Sequence, residues 1–135
     1  TLSPFISYTL EANFQCNGHY AFGFSHGTTY TEIFASATYE IGVWTFLAAT
    51  FDGVTIKGYV NGDLETSTTI TGDSTILYNT AYDATIGGDV PRSIEYFPGM
   101  VDEVAIFNRV LSSGEIKQLF LSGVHIRQNA RTDGQ

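Results

Sequence analysis

The chain has a single cysteine, Cys16, so no disulfide can form within it. Any stability must come from a packed core, and Cys16 itself reads as a small buried hydrophobe. Basic residues are scarce: Lys and Arg number 6 against 14 Asp and Glu, a net charge of −8. That balance excludes a nucleic-acid backbone or an anionic membrane surface as partner, since both demand a basic face. No apolar run approaches the length of a membrane span, and no signal peptide is visible. Helix punctuation is nearly absent; only one stretch carries both a cap and a helical apolar stripe. Catalytic spacing is lacking too. A retaining glycosidase needs two carboxylates about 5 Å apart, yet Glu11, Glu32 and Glu40 each lack an acid two positions away. Asp102 and Glu103 are adjacent and would point to opposite faces of a strand. Asp63 and Glu65 are correctly spaced but lie in a polar segment without an aromatic platform. Three scattered histidines, His19, His26 and His125, have no nucleophile at a supporting distance and read as solvated or hydrogen-bonded side chains.

What is present is a β-type composition, with 8 Tyr, 10 Phe and 14 Gly in 135 residues. Residues 5–12, 19–25 and 30–39 read as strands, the first with Phe5, Ser7, Thr9 and Glu11 on one side. Asn17-Gly18 and the stretch from His26 to Thr29 read as turns. Residues 43–51 and 54–60 are a further pair, joined by Asp52-Gly53 and closed by Asn61-Gly62, dipeptides that admit the positive φ of a tight hairpin turn. Trp44, the only tryptophan, shares a face of that strand with Phe46 and reads as core. A short edge strand is expected at 66–71, and strand fragments at 76–78 and 84–88. The segment 90–98 reads as an irregular loop. Near the end, residues 100–107 alternate as a closing strand, with Asp102 on the face that also carries Met100, Val104 and Ile106. A carboxylate on such a face must be paired, hydrogen-bonded or metal-bound. Ser112 and Glu115 then form a capping box, and Leu111 and Ile116 occupy its staple positions. Ile116, Leu119 and Phe120 make the apolar stripe, and Gly123 stands at a helix stop. Many short alternating strands with one terminal helix specify an all-β antiparallel sandwich.

The run Gly99-Met100-Val101-Asp102-Glu103-Val104-Ala105-Ile106-Phe107-Asn108-Arg109-Val110-Leu111-Ser112-Ser113-Gly114-Glu115-Ile116 resembles the closing motif of laminin-G-like domains of the concanavalin A-like lectin/glucanase superfamily, roughly G-x-I-D-E-V-x-I-Y-N-R-A-L-S-x-x-E-I. The block from Trp44 through Asp52-Gly53 to Tyr59-Val60-Asn61-Gly62 is similar to a second motif of that family. It departs at Gly58, where the family has a side chain; a bulge or a close backbone approach would explain that. Residues 84–88 resemble the family's L-x-I-G strand, and 5–12 its early strand. The resemblance implies a jelly roll of two curved sheets with one short helix near the C-terminus. On this reading residues 1–123 form the domain, whose first strands lie elsewhere, and 124–135 a tail or linker to a following domain. It also implies a non-catalytic carbohydrate-binding or adhesion module, within a larger secreted or cell-surface protein, whose partner is a glycan or an extracellular protein. In the resembling family the Asp matching Asp102 contributes to a structural calcium site. The candidate ligand-binding residues are Tyr78, Tyr82, Asp83, Asp89, Arg92, Glu95 and Tyr96. They supply aromatic faces and short polar groups from two neighbouring loop stretches. The alternative is a structural spacer or protein–protein interaction module in an adhesin or fibre-like assembly.

Overall fold

The computed structural model describes residues 7–12, 17–77, 83–88 and 96–132, with 124–132 as backbone only. Six strands form two antiparallel three-stranded sheets. The first is β1 (Tyr8–Ala12), β2 (His19–His26) and β3 (Thr29–Thr38), with β2 in the centre. The second is β4 (Leu47–Phe51), β5 (Thr55–Val60) and β6 (Asp63–Thr69), with β5 in the centre. One helix, α1 (Ser113–Thr132), follows. The sheets pack face to face, β3 over β5 and β6, β2 over β5, and β1 over β4. The expected all-β sandwich is the fold observed.

Turn chemistry sets the register. Asn61 and Gly62 adopt φ of 51° and 82°, the left-handed pair that a two-residue hairpin turn requires. Pairing therefore resumes at once, Val60 opposite Asp63, and β6 begins three residues before the expected edge strand. Between β4 and β5 the Asp52 carboxylate accepts N–H bonds from Val54 and Thr55 at 2.8 and 2.6 Å. These bonds hold its pKa below the ordinary carboxylate value. A register shift marks the expected bulge at Gly58–Tyr59.

Alternation along β2 sends Tyr20, Phe22 and Phe24 inward, where they meet Ile33 and Ala35 of β3 and Ile56 and Val60 of β5. The Phe24 and Phe51 rings lie 5.5 Å apart across the two sheets. Each fully buried large apolar side chain contributes about 1.5–3 kcal/mol of transfer free energy. A second, smaller cluster lies on the opposite face of β4 and β5, where Tyr59 packs with Leu111 and Ile116. There the helix start is held as its sequence specifies. The Ser112 hydroxyl accepts the Glu115 N–H at 3.3 Å, and the Glu115 carboxylate accepts the Ser112 N–H at 2.8 Å. Leu111 and Ile116 are both buried at the staple positions.

Four expectations are corrected. Residues 100–107 join no sheet among the described residues, and Met100, Val104 and Ile106 are exposed. Glu103 has φ of 53°, which breaks the extended run on which the alternation depended. Trp44 is 44 % exposed rather than core, because β4 starts only at Leu47 and its alternation does not reach back to residue 44. Residues 84–88 form no strand, and 86–88 bend at Gly87 with φ 81°. Nor does Gly123 stop the helix. The backbone stays helical to Thr132, so the expected tail at 124–135 is helical over its first nine residues. A methyl at Gly123 would sit 3.2 Å from the Glu103 carboxylate, so this glycine permits close approach of the preceding segment.

Candidate functional site

The loops singled out from sequence are brought together in part. The Phe97 N–H donates to the Gly87 carbonyl at 2.9 Å, tying 96–100 to 83–88. Thr85 closes its own loop with a 2.8 Å bond to the Gly88 carbonyl. Across this junction the Tyr96 ring lies against Gly88, where a Cβ would meet Tyr96 Cδ1 at 3.0 Å. Tyr96 remains 67 % exposed, and Asp83 on the facing loop is also exposed. An aromatic face held on glycine, with a carboxylate on the partner loop, can take the C–H face and hydroxyls of a sugar. Tyr78, Tyr82, Asp89, Arg92 and Glu95 lie outside the described residues, as does Cys16.

Asp102 does not stand on a buried face. It is exposed, and its Oδ1 accepts the Glu103 N–H at 2.8 Å. The local turn satisfies the carboxylate that a closing strand would have buried. Calcium requires six to eight oxygen ligands. Among the described residues no group of three or more acidic, histidine or cysteine side chains gathers around Asp102.

A polar cluster that same-strand spacing could not reveal lies on the outer face of the first sheet. Thr9 of β1 and Glu32 of β3 stand on either side of Gly23 in the central strand. Tyr30 reaches across that glycine. Its hydroxyl donates to Glu32 Oε1 at 3.1 Å and lies 2.9 Å from Thr9 Oγ1. Since a phenol has one hydrogen, the Thr9 hydroxyl donates to Tyr30. Burial, reinforced by the nearby Glu32 and Glu11 charges, raises the Tyr30 pKa well above the ordinary phenol range. Burial likewise raises that of Glu32, opposed by the Tyr30 hydrogen bond and reinforced by the Glu11 charge. The signal in sequence was parity. Thr9 and Glu11 share one side of β1, but their companions on β3 could be found only once the register was known.

No helix among the described residues is long and apolar enough to cross a membrane. None of the curated proteins compared matches the chain. A crystal structure of residues 221–444 of an S-layer domain-containing protein from Clostridium thermocellum is similar over 76 % of this chain, with 26 % identity and a TM-score of 0.47. The chain spans about half of that structure, 52 % of its length. A laminin G family model, described as the concanavalin A-like lectin/glucanases superfamily, matches residues 5–117. That match takes in both sheets and the capped start of α1, and the chain belongs to this family.

Proposed function

We propose that the chain is a non-catalytic glycan-binding module of a secreted or cell-surface protein. Tyr96 supplies the aromatic platform and Asp83 a hydroxyl-binding carboxylate. The observation that carries this reading is the Tyr96 ring, exposed yet seated on Gly88 by the Phe97–Gly87 backbone bond. A side chain fixed in place before binding loses little conformational entropy when a ligand stacks on it. Glycan-array screening, with Tyr96→Ala and Tyr82→Ala variants, tests the proposal. Retention on at least one polysaccharide, lost in Tyr96→Ala, supports it; no retention on any polysaccharide overturns it. Calcium at Asp102 is tested apart from this, by calorimetric titration of the metal and by the thermal midpoint before and after chelation. Binding that Asp102→Asn removes would establish the site.

A second reading, a protein-contact module in a surface assembly, is favoured by the exposed apolar side chains of Met100, Val104 and Ile106. It predicts that Ile106→Lys weakens assembly with a protein ligand and leaves any polysaccharide retention intact.

A further inference from the structure

Between the two sheets, at the end where β2 and β4 begin and β3 and β5 finish, lies a cleft of about 160 Å³. We infer that this cleft is a binding site for one ring of a neutral sugar, with Tyr20, Thr45, Asn61 and Glu40 as its polar contacts and Val43 as its outer wall. The proposal shares its ligand class with the function proposed above but rests on different residues.

The base of the cleft is built from groups already fixed. Tyr20 is 4 % exposed and donates its hydroxyl to Thr45 Oγ1 at 3.0 Å. Asn61 Oδ1 accepts the Phe46 N–H at 3.1 Å, and the Asn61 N–H donates to the Phe46 carbonyl at 2.8 Å. That bond uses one Oδ1 lone pair and leaves the second lone pair and both amide N–H donors of the side chain for a ligand. The rim is a turn from Glu40 to Val43, closed by the Val43 N–H on the Glu40 carbonyl at 3.3 Å. Gly42 at φ 81° sits at the third position, where a type II turn requires positive φ. The turn sets a carboxylate and an apolar side chain side by side at the mouth.

Chemistry narrows the occupant. Hydroxyls, an amide and one carboxylate line the cleft together with Ala37, Val43 and Val60, and among the described residues no cation lines it. Phosphate, sulfate and anionic sugars are therefore disfavoured, and the net charge of −8 acts in the same sense. The volume is well below the roughly 300–1,000 Å³ of sites that enclose drug-sized ligands. A single pyranose suits both limits: its ring presents alternating C–H and O–H groups to a wall that is half apolar and half polar.

The test is an amide-resolved NMR titration of the whole chain with glucose, galactose, mannose and N-acetylglucosamine in turn. At least one sugar should shift the amides of Tyr20, Thr45 and Asn61. Val43→Arg, which plugs the mouth from an exposed position, should weaken that binding at least about tenfold, and Glu40→Ala should weaken it too. If Val43→Arg fails to fold, the exposed Glu40→Ala variant carries the test alone. No shift at those amides with any of the four sugars, or binding unchanged in the variants, overturns the inference. Shifts at the cleft without shifts at Tyr96 support the cleft and count against the loop site; the reverse pattern overturns the cleft.

Discussion

The Phe22 ring packs against Gly58 across the two sheets. A methyl group on Gly58 would come within 2.5 Å of Phe22 Cε2 and 2.9 Å of Thr66 Cγ2. Phe22 is fully buried and β5 is paired on both edges, so neither can retreat without moving a sheet. Gly58→Ala is expected to destabilise the domain by about 1–3 kcal/mol through overpacking. Denaturant unfolding measures this directly. In a double-mutant cycle Phe22→Leu should offset part of the loss, because the smaller side chain vacates the space the methyl needs. Additive losses would show that Gly58 is required for some other reason, such as the adjacent bulge.

His26 is 5 % exposed and fastens the segment 71–77 to the end of the first sheet. Its Nδ1 lies 3.0 Å from the Asp73 carbonyl, which can only accept, so Nδ1 carries the hydrogen. Nε2 then accepts from the Thr31 hydroxyl at 2.8 Å. His26→Leu fills much of the volume but leaves the Asp73 carbonyl without its ring donor, at a cost of about 1–3 kcal/mol. Hydrogen exchange should localise the damage. The Gly27 and Leu77 amides, which bond Thr75 and Ser25 carbonyls, should lose protection before those of β5. Uniform loss across both sheets would instead mark His26 as a core packing residue.

How far the sequence could be read depended on whether the deciding contact was local. Asn61-Gly62 and the Ser112–Glu115 box are local, and each appears where its chemistry placed it. Asp102 and Trp44 were misjudged because alternation specifies a buried face only when a neighbouring strand exists to bury it. Glu103 at positive φ breaks the alternation around Asp102, and β4 begins at Leu47, too late to carry Trp44. Gly58 signalled a close approach, but only the register of the second sheet identified Phe22 as the group approached. The cleft between Tyr20 and Asn61 joins residues 41 positions apart on different sheets, beyond any periodicity.

Glu115 and Arg109 make acid sensitivity a property of the helix cap. The guanidinium meets both carboxylate oxygens, at 2.6 and 3.2 Å, and Ser112 adds its N–H and O–H. Together they pull the Glu115 pKa from its ordinary 4.5 down to about 2. A lowered carboxylate value favours the folded state above the unfolded pKa, and that contribution is lost as pH falls from about 4.5 to about 2. Thermal midpoints across this range should converge for the native chain and Glu115→Gln. Parallel curves would show that the cap does not titrate. Ser112→Ala should separately cost roughly 0.5–2 kcal/mol at neutral pH as a lost N-cap.

Glu32 has the opposite sign. Burial raises its pKa, Tyr30 opposes the shift through its hydrogen bond, and the Glu11 charge adds to it. The folded chain therefore holds this proton more tightly than the unfolded chain, so protonation of Glu32 favours folding as pH falls through its raised value. Glu32→Gln keeps an acceptor for the Tyr30 hydroxyl but carries no charge beside Glu11. At neutral pH the variant should be more stable than the native chain. The difference should shrink as pH falls through the raised value toward the ordinary 4.5 and stay constant below it, where Glu32 is protonated in both states. Tyr30→Phe should leave Glu32 without its hydrogen-bond donor and raise its pKa further, moving the crossover to higher pH. A Glu32→Gln advantage that persists unchanged into acid would mean that shape at Gly23, rather than charge, governs this face.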